Sequence, residues 1–428
     1  MTGPSPAPVR TGEPVGDEAV QEMLALSGQG LPLLREWTAG QPRCGLARAL
    51  LMLATGDSLG EAALKDELVI AYEDAQSAGA REASLVYGVF LSALRQYRLA
   101  ADHLVAHFAR WPADEVAGLM LDAFHACGDP AYRERGDALV EEQYVRAGPD
   151  SWVWAGRLAW ARVEAGRVEE AHELAGRALV LNPRAGVAVH ARAHAEHELG
   201  AGPAATDALD RWLADDPEAL QFRHLNWHAA LQSIACGDFP DARRRADAVL
   251  ADSDVGMRAA TNWRLLLVGQ SPAGRTDLAR VRGLLAAPGG MAEVFHTFNL
   301  ALALAVEAAT DDLHALARRA AGDPRAEYRE ALAPVAEALA HLTAGRPGAA
   351  VGLLSGLGDG VERIGGVRVE REIVQDTLAR ALADTGEHAR AAELLHHRTA
   401  TRRHHTYERL LAEAPAVPVP VPAPAPAP

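Results

Sequence analysis

Residues 152–183 read WVWAGRLAWARVEAGRVEEAHELAGRALVLNP, and the spacing of their small residues decides the fold. Two runs rich in Ala, Leu, Arg and Glu, all good helix formers, flank Gly166. Ala171 and Ala178 follow in the second run, and Pro183 closes the stretch. A glycine at this point takes the positive φ that ends a first helix, and an alanine one turn into the next run lets a second helix lie close to the first. Adding 34 to three of these positions gives Gly200, Ala205 and Pro217. The Gly-to-Ala spacing of five returns at Gly237/Ala242, Gly345/Ala350 and Gly386/Ala391. A looser copy, ALRQYRLAADHLVAHFARWP, has Arg95, Ala100 and Pro112 in the matching places. Prolines after Asn182 and Asp216 separate units, because the residue before a proline leaves the helical region.

This period predicts an all-α chain: a right-handed superhelical solenoid of tetratricopeptide-like helix–turn–helix repeats. About eight to ten helix pairs are expected over residues 17–411, at the pitch of helical repeats. Each unit buries its apolar face only against its neighbours, so 428 residues fit one elongated domain. Composition agrees, since 49% of residues are hydrophobic but only 5% aromatic, which favours close helix-on-helix packing. Residues 1–16 are rich in Pro, Gly and Thr, and 412–428 hold the run PAVPVPVPAPAPAP, which cannot make helical hydrogen bonds. Both are expected to be disordered tails.

A formal charge of −15 and a pI near 5.6 exclude nucleic acid and anionic membranes as expected partners, since both need a basic footprint. Lys65 is the single lysine among 42 basic residues, a coding bias of GC-rich genomes such as those of actinobacteria. Cys44, Cys127 and Cys236 lie far apart without CxxC spacing, so neither a disulfide framework nor a zinc ribbon is indicated. With neither an apolar signal segment nor a membrane-length apolar run, the expected location is the cytoplasm.

Several segments together resemble the tetratricopeptide repeat protein 38 family, over roughly residues 85–410. They are AVHARAHAEHELG (Ala188–Gly200), HLNWHAAL (His224–Leu231), the Trp263–Arg264 pair in TNWRLLL, and IGGVRVERE (Ile364–Glu372). The resemblance implies a helical solenoid of no settled activity, with some relatives in specialised-metabolite gene clusters. This chain departs from the family pattern at several polar positions. His197 stands where the family has a glutamate. Val367 and Arg368 replace a Ser-His, and Glu370, Arg371 and Glu372 replace Gln-Arg-Asp. In VFHTFNLAL, Thr297 and Asn299 occupy the places of an acid and a histidine.

Candidate chemistry concentrates on histidines. His190, His194 and His197 recur at intervals of four and three, which puts them on one stripe of a helix. His224 and His228 lie 34 residues after the first two, with Trp227 beside them. In a tetratricopeptide-type superhelix these places of the first helix resemble those lining the inner groove. Trp263 and Arg264, from the next unit, would add a flat wall and a carboxylate-binding fork.

Three readings of this cluster stand open. The histidines hydrogen-bond among themselves and to carbonyls, serving packing alone. They form a ligand pocket in which His194 or His228 acts as general base or acid. Or His190, His194, His224 and His228, as two H-x3-H pairs, hold Zn, Cu, Ni or Fe. At the level of function, a protein binding a small molecule or peptide is expected first, an enzyme of specialised metabolism second and a partner-recruiting scaffold third. No other cofactor and no oligomeric state is indicated. Weaker candidates are His103/His107, read as core or solvated, and the His396, His397, His404 and His405 group, read as adventitious. The Gly365–Gly366 pair reads as a turn.

Overall fold

In the computed structural model, residues 14–251, 255–287 and 289–413 are described. They form an all-helical, tetratricopeptide-like α-solenoid of consecutive helix pairs, with no strand among the described residues. No described helix is long and apolar enough to cross a membrane. The tail readings fall mostly outside the described residues, at 1–13 and 414–428. Their inner edges are helical. Pro14–Gly16 open the first helix, Pro14–Ala25, where a proline's missing N–H is no loss, and the last helix runs Thr406–Glu413.

The turns follow the spacing in the sequence. Gly166, Gly200, Gly237, Gly345 and Gly386 all have positive φ, between 60° and 83°. In each, the amide after the glycine reaches the carbonyl five residues back, as Arg167 does to Arg162 at 2.8 Å and Glu387 to Leu382 at 2.8 Å. The paired alanines Ala171, Ala242, Ala350 and Ala391 are fully buried. Arg95, in the glycine's place of the looser copy, also takes a positive φ of 57°. The same turn occurs without glycine at Leu26 and Ala308, with Ser27 bonding to Glu22 and Ala309 to Leu304. Such turns are silent to a glycine search, and the described residues hold twenty-three α-helical segments against the sixteen to twenty of eight to ten pairs.

The described residues gather into two compact units, residues 14–195 with 211–222, and residues 196–210 with those between 223 and 413. The first has a core around Leu50, Leu68, Leu104, Phe108 and Trp154. Within it the repeat pitch is set by small residues: Ala159, Ala175 and Ala191 meet in one cluster, and Ala171 and Ala195 meet Val163 in the next. Ser151 caps the Trp152–Glu164 helix, its hydroxyl accepting from the Trp154 amide. The second unit is built around Phe298, Leu300, Tyr328, Leu339 and Ile373. Its Phe222–Cys236 helix is buried from Leu225 to Ala235, apolar and polar residues alike, so it has no solvent face to define an amphipathic pattern.

A Cβ on Gly345 would meet nothing within 4 Å, so only its φ of 70° opposes a side chain there. Gly345→Ala should lower the unfolding free energy in urea by about 1 kcal/mol, and Ala308→Gly should raise it by a comparable amount. Equal stability of Gly345→Ala and the parent chain would refute this account of the turns.

Candidate functional site

Each H-x3-H pair closes on itself. On the Gly186–Glu198 helix the Nε2 atoms of His190 and His194 are 2.9 Å apart, and on the Phe222–Cys236 helix those of His224 and His228 are 3.2 Å apart. The cause is helical geometry, which places residues four apart one above the other. His194 and His228 are each 1% exposed, while His190 and His224 are half-buried. His190 and His194 belong to the first unit and His224 and His228 to the second, so each pair is a polar site of its own unit. The alanines of the Gly186–Glu198 helix explain how such a polar group is held: Ala188, Ala191 and Ala195 are spent on packing, leaving the intervening positions for histidine.

His197 does not belong to that group. Its Nε2 lies 3.2 Å from Glu372, inside a buried ionic network that the sequence reading missed. Arg402 bonds to Glu372 and, at 2.7 Å, to Glu408, while Arg398 pairs with Asp376 at 2.7 Å. Burial pushes the Glu372 carboxyl up, but Arg402 and Arg398, with the His197 hydrogen bond, outweigh it and hold the group well below the usual range. Trp263 and Arg264 belong to the same region. The Trp263 indole donates to Thr377 at 3.0 Å, and Arg264 donates to the Val369 carbonyl at 2.7 Å.

A cavity of about 190 Å³ lies beside His224. Its apolar walls include Trp227, Phe295 and Phe298, and its polar lining is His224, Asn299 and Glu370. Trp227 is 2% exposed, and its indole N–H has no hydrogen-bond partner among the described residues. The double glycine shapes one side of the cavity. A Cβ on Gly366 would lie 2.6 Å from both Glu370 Oε2 and the Phe295 ring. Glu370 Oε2 also accepts the Val367 amide at 2.8 Å, which fixes the carboxylate at the start of the Arg368–Asp384 helix. Thr297 is turned away and bonds to the Glu293 carbonyl at 2.8 Å, whereas Asn299 faces the cavity.

His103 and His107 are tied into the first unit. His103 Nε2–H donates to the Ser84 carbonyl at 2.8 Å, because a carbonyl can only accept. His107 Nδ1 meets the Ser84 hydroxyl at 2.9 Å, its Nε2 meets Asp114 at 3.2 Å, and Arg81 forks onto the same carboxylate at 2.7 and 2.8 Å. Ser84 sits inside the Ala80–Ala93 helix, where backbone amides are spent on helical bonds, so these contacts stitch two helices to a loop. His396, His397 and His404 are exposed, and His405 bonds to the Arg402 carbonyl.

No family model matches the chain, and no curated protein does. Among solved structures it is similar to one described as "Structure of Naa15/Naa10 bound to HypK-THB", at 10% identity and a TM-score of 0.20, over 89% of this chain and 67% of that one. So loose a superposition leaves the fold to be read from the helix pairs themselves.

Burial raises the Asp114 carboxyl, but the bonds from His107 and Arg81 outweigh it and keep its pKa below the ordinary value. A carboxylate depressed in this way stabilises the fold fully above its unfolded pKa of about 4, and that stability is lost as pH falls through the folded pKa. The parent chain should therefore lose more unfolding free energy between about pH 5 and pH 2 than Asp114→Asn does. Parallel pH profiles of the two in urea melts would refute the linkage.

Proposed function

We propose that this chain is a metal-binding solenoid in which His224 and His228 hold a transition-metal ion, with a small molecule or peptide terminus received beside it. The observation that carries this is the closure of the pair, whose Nε2 atoms lie 3.2 Å apart. Around a tetrahedral ion at about 2.0–2.1 Å from each ligand, neighbouring nitrogens are separated by about 3.3 Å. The pair is already near that value, so small ring rotations let both imidazoles ligate one ion. Imidazole donors suit Zn, Cu, Ni and Fe.

Neutral imidazoles leave the full charge of a divalent ion uncompensated, which favours an oxygen ligand or a nearby carboxylate. Glu370, lining the same cavity as His224, supports that reading. Under this assignment the lone pairs of His224 and His228 belong to the ion, so the pair acts as ligands and not as free general bases. Membership of the tetratricopeptide repeat protein 38 family and a cytoplasmic location belong to the same proposal. The latter is supported by three free, separated cysteines.

Isothermal titration of untagged, metal-stripped protein with zinc should show binding. His224→Ala combined with His228→Ala should remove at least one equivalent with helicity unchanged by circular dichroism, whereas His197→Ala should retain it. Binding below about one-tenth of an equivalent in the parent chain, when imidazole clusters normally bind tightly, rules the site out.

A further inference from the structure

The contacts that stitch the Ala80–Ala93 helix of the first unit to the Tyr97–Arg110 helix are also those of an activated hydroxyl. Asp114, held as a carboxylate, can only accept, so the hydrogen between it and His107 at 3.2 Å sits on Nε2. That tautomer leaves a lone pair on Nδ1, to which the Ser84 hydroxyl donates at 2.9 Å. Nucleophile, base and carboxylate thus stand in line. The carboxylate is itself fixed by the Arg81 fork and by the Val116 amide at 3.1 Å. His107 and Asp114 are buried and Ser84 is half-buried, so the serine is the member of the three that meets solvent.

Two further groups complete the arrangement. The His103 Nε2–H that donates to the Ser84 carbonyl is also 3.2 Å from the Ser84 hydroxyl oxygen. Burial lowers the His103 pKa, so the ring is a neutral donor at pH 7. Beside it lies Tyr87, 39% exposed, whose ring centroid is 5.0 Å from that of His103. Tyr72 and Phe90 extend the same aromatic surface, with centroids 5.7 and 6.3 Å from Tyr87.

We infer that Ser84 is a nucleophile that cleaves small aryl esters. Its oxygen bonds to the ester carbonyl carbon as its proton passes to His107 Nδ1, and the imidazolium so formed faces Asp114. The helix has no amide to spare for the carbonyl oxygen, so the His103 Nε2–H turns to it from the Ser84 carbonyl. The bond to the aryl oxygen then breaks, and His107 returns the proton to that oxygen, releasing a phenol. Water repeats the sequence on the acyl-serine: its proton goes to His107, its oxygen bonds to the acyl carbon, and Ser84 leaves with the proton, giving a carboxylic acid. The ring of the leaving group lies against Tyr87, which is why an aryl ester and not an alkyl ester is assigned. The site lies wholly within the first unit and is independent of the metal reading.

The probe is p-nitrophenyl acetate, added to the untagged full chain in EDTA so that no bound metal contributes. Acid quenching early in the reaction should trap one acetyl group per chain, located on Ser84 by peptide mass spectrometry, and Ser84→Ala should abolish it. His107→Gln removes the base. Asp114→Asn offers an amide that donates to Nε2 and so moves the ring hydrogen to Nδ1, where it blocks the base. Each should lower kcat about 100-fold or more, with KM and the circular dichroism spectrum unchanged. Tyr87→Ala should raise KM about 2- to 10-fold. Three results overturn the inference: no acetyl group in the parent chain, acetylation confined to residues other than Ser84, or an undiminished kcat in Asp114→Asn. Labelling of Ser84 at the same rate in the chain unfolded in urea overturns it as well, since the hydroxyl would then owe nothing to its neighbours.

Discussion

Ala159, Ala175 and Ala191 meet from three successive helices with nothing larger than a methyl group between the backbones, and Ala171 and Ala195 do the same one turn further on with Val163. Such contacts only work if the second helix of each pair returns directly beside the first, which the positive-φ residue at the turn ensures. Distance and direction are thus set together by two residues five apart. Bulky aromatics are then needed only at anchor points such as Trp154, whose indole bonds to the Ala113 carbonyl at 3.2 Å. The arrangement also governs chemistry, since a helix fixed by alanines on its packing faces is free to carry residues that contribute nothing to packing. His190 and His194 are such residues on the Gly186–Glu198 helix.

What could be read from the sequence follows the same division between local and distant causes. Turn glycines and their alanines are separated by five residues and depend on nothing else, so they were legible. Leu26, Arg95 and Ala308 hold the same backbone conformation without glycine, because surrounding packing imposes it against intrinsic preference. Each H-x3-H pair was legible because residues four apart must meet on a helix. The reading of His197 as a third member of the stripe was not, since a stripe fixes the side of one helix and says nothing of what arrives from afar. Here Glu372 arrives 175 residues later in the chain and takes His197 for itself. Trp263 and Arg264 illustrate the same limit. Their residue types suit a cavity wall, yet Thr377 and the Val369 carbonyl claim them.

The Arg368–Asp384 helix concentrates these distant causes. Glu370 lines the cavity, Glu372 meets His197 and Arg402, Asp376 pairs with Arg398, and Thr377 accepts from Trp263. Four side chains within two turns thus point to four different neighbours. The sequence resemblance marked this segment as one where family positions are altered, and the alterations Glu370 and Glu372 are among the residues so engaged.

A buried ion pair adds little net stability, because desolvating both charges costs about as much as their attraction returns, whereas removing one partner is expensive. The network of Glu372, Asp376, Arg398, Arg402 and Glu408 is therefore better understood as a constraint on position than as a source of stability. Arg402 also brings the segment after it against the Gly200 turn, where the Arg403 and His404 amides bond to the Leu199 and Gly200 carbonyls at 3.1 Å. A Cβ on Gly200 would lie 2.7 Å from the Arg402 Cβ, so the turn that ends one repeat is also the surface on which the last helices dock. The helix that presents Glu370 is consequently clamped by charges on the faces that do not line the cavity. A carboxylate on a helix held this firmly cannot drift, so the shape and polarity of the cavity it lines are fixed in advance.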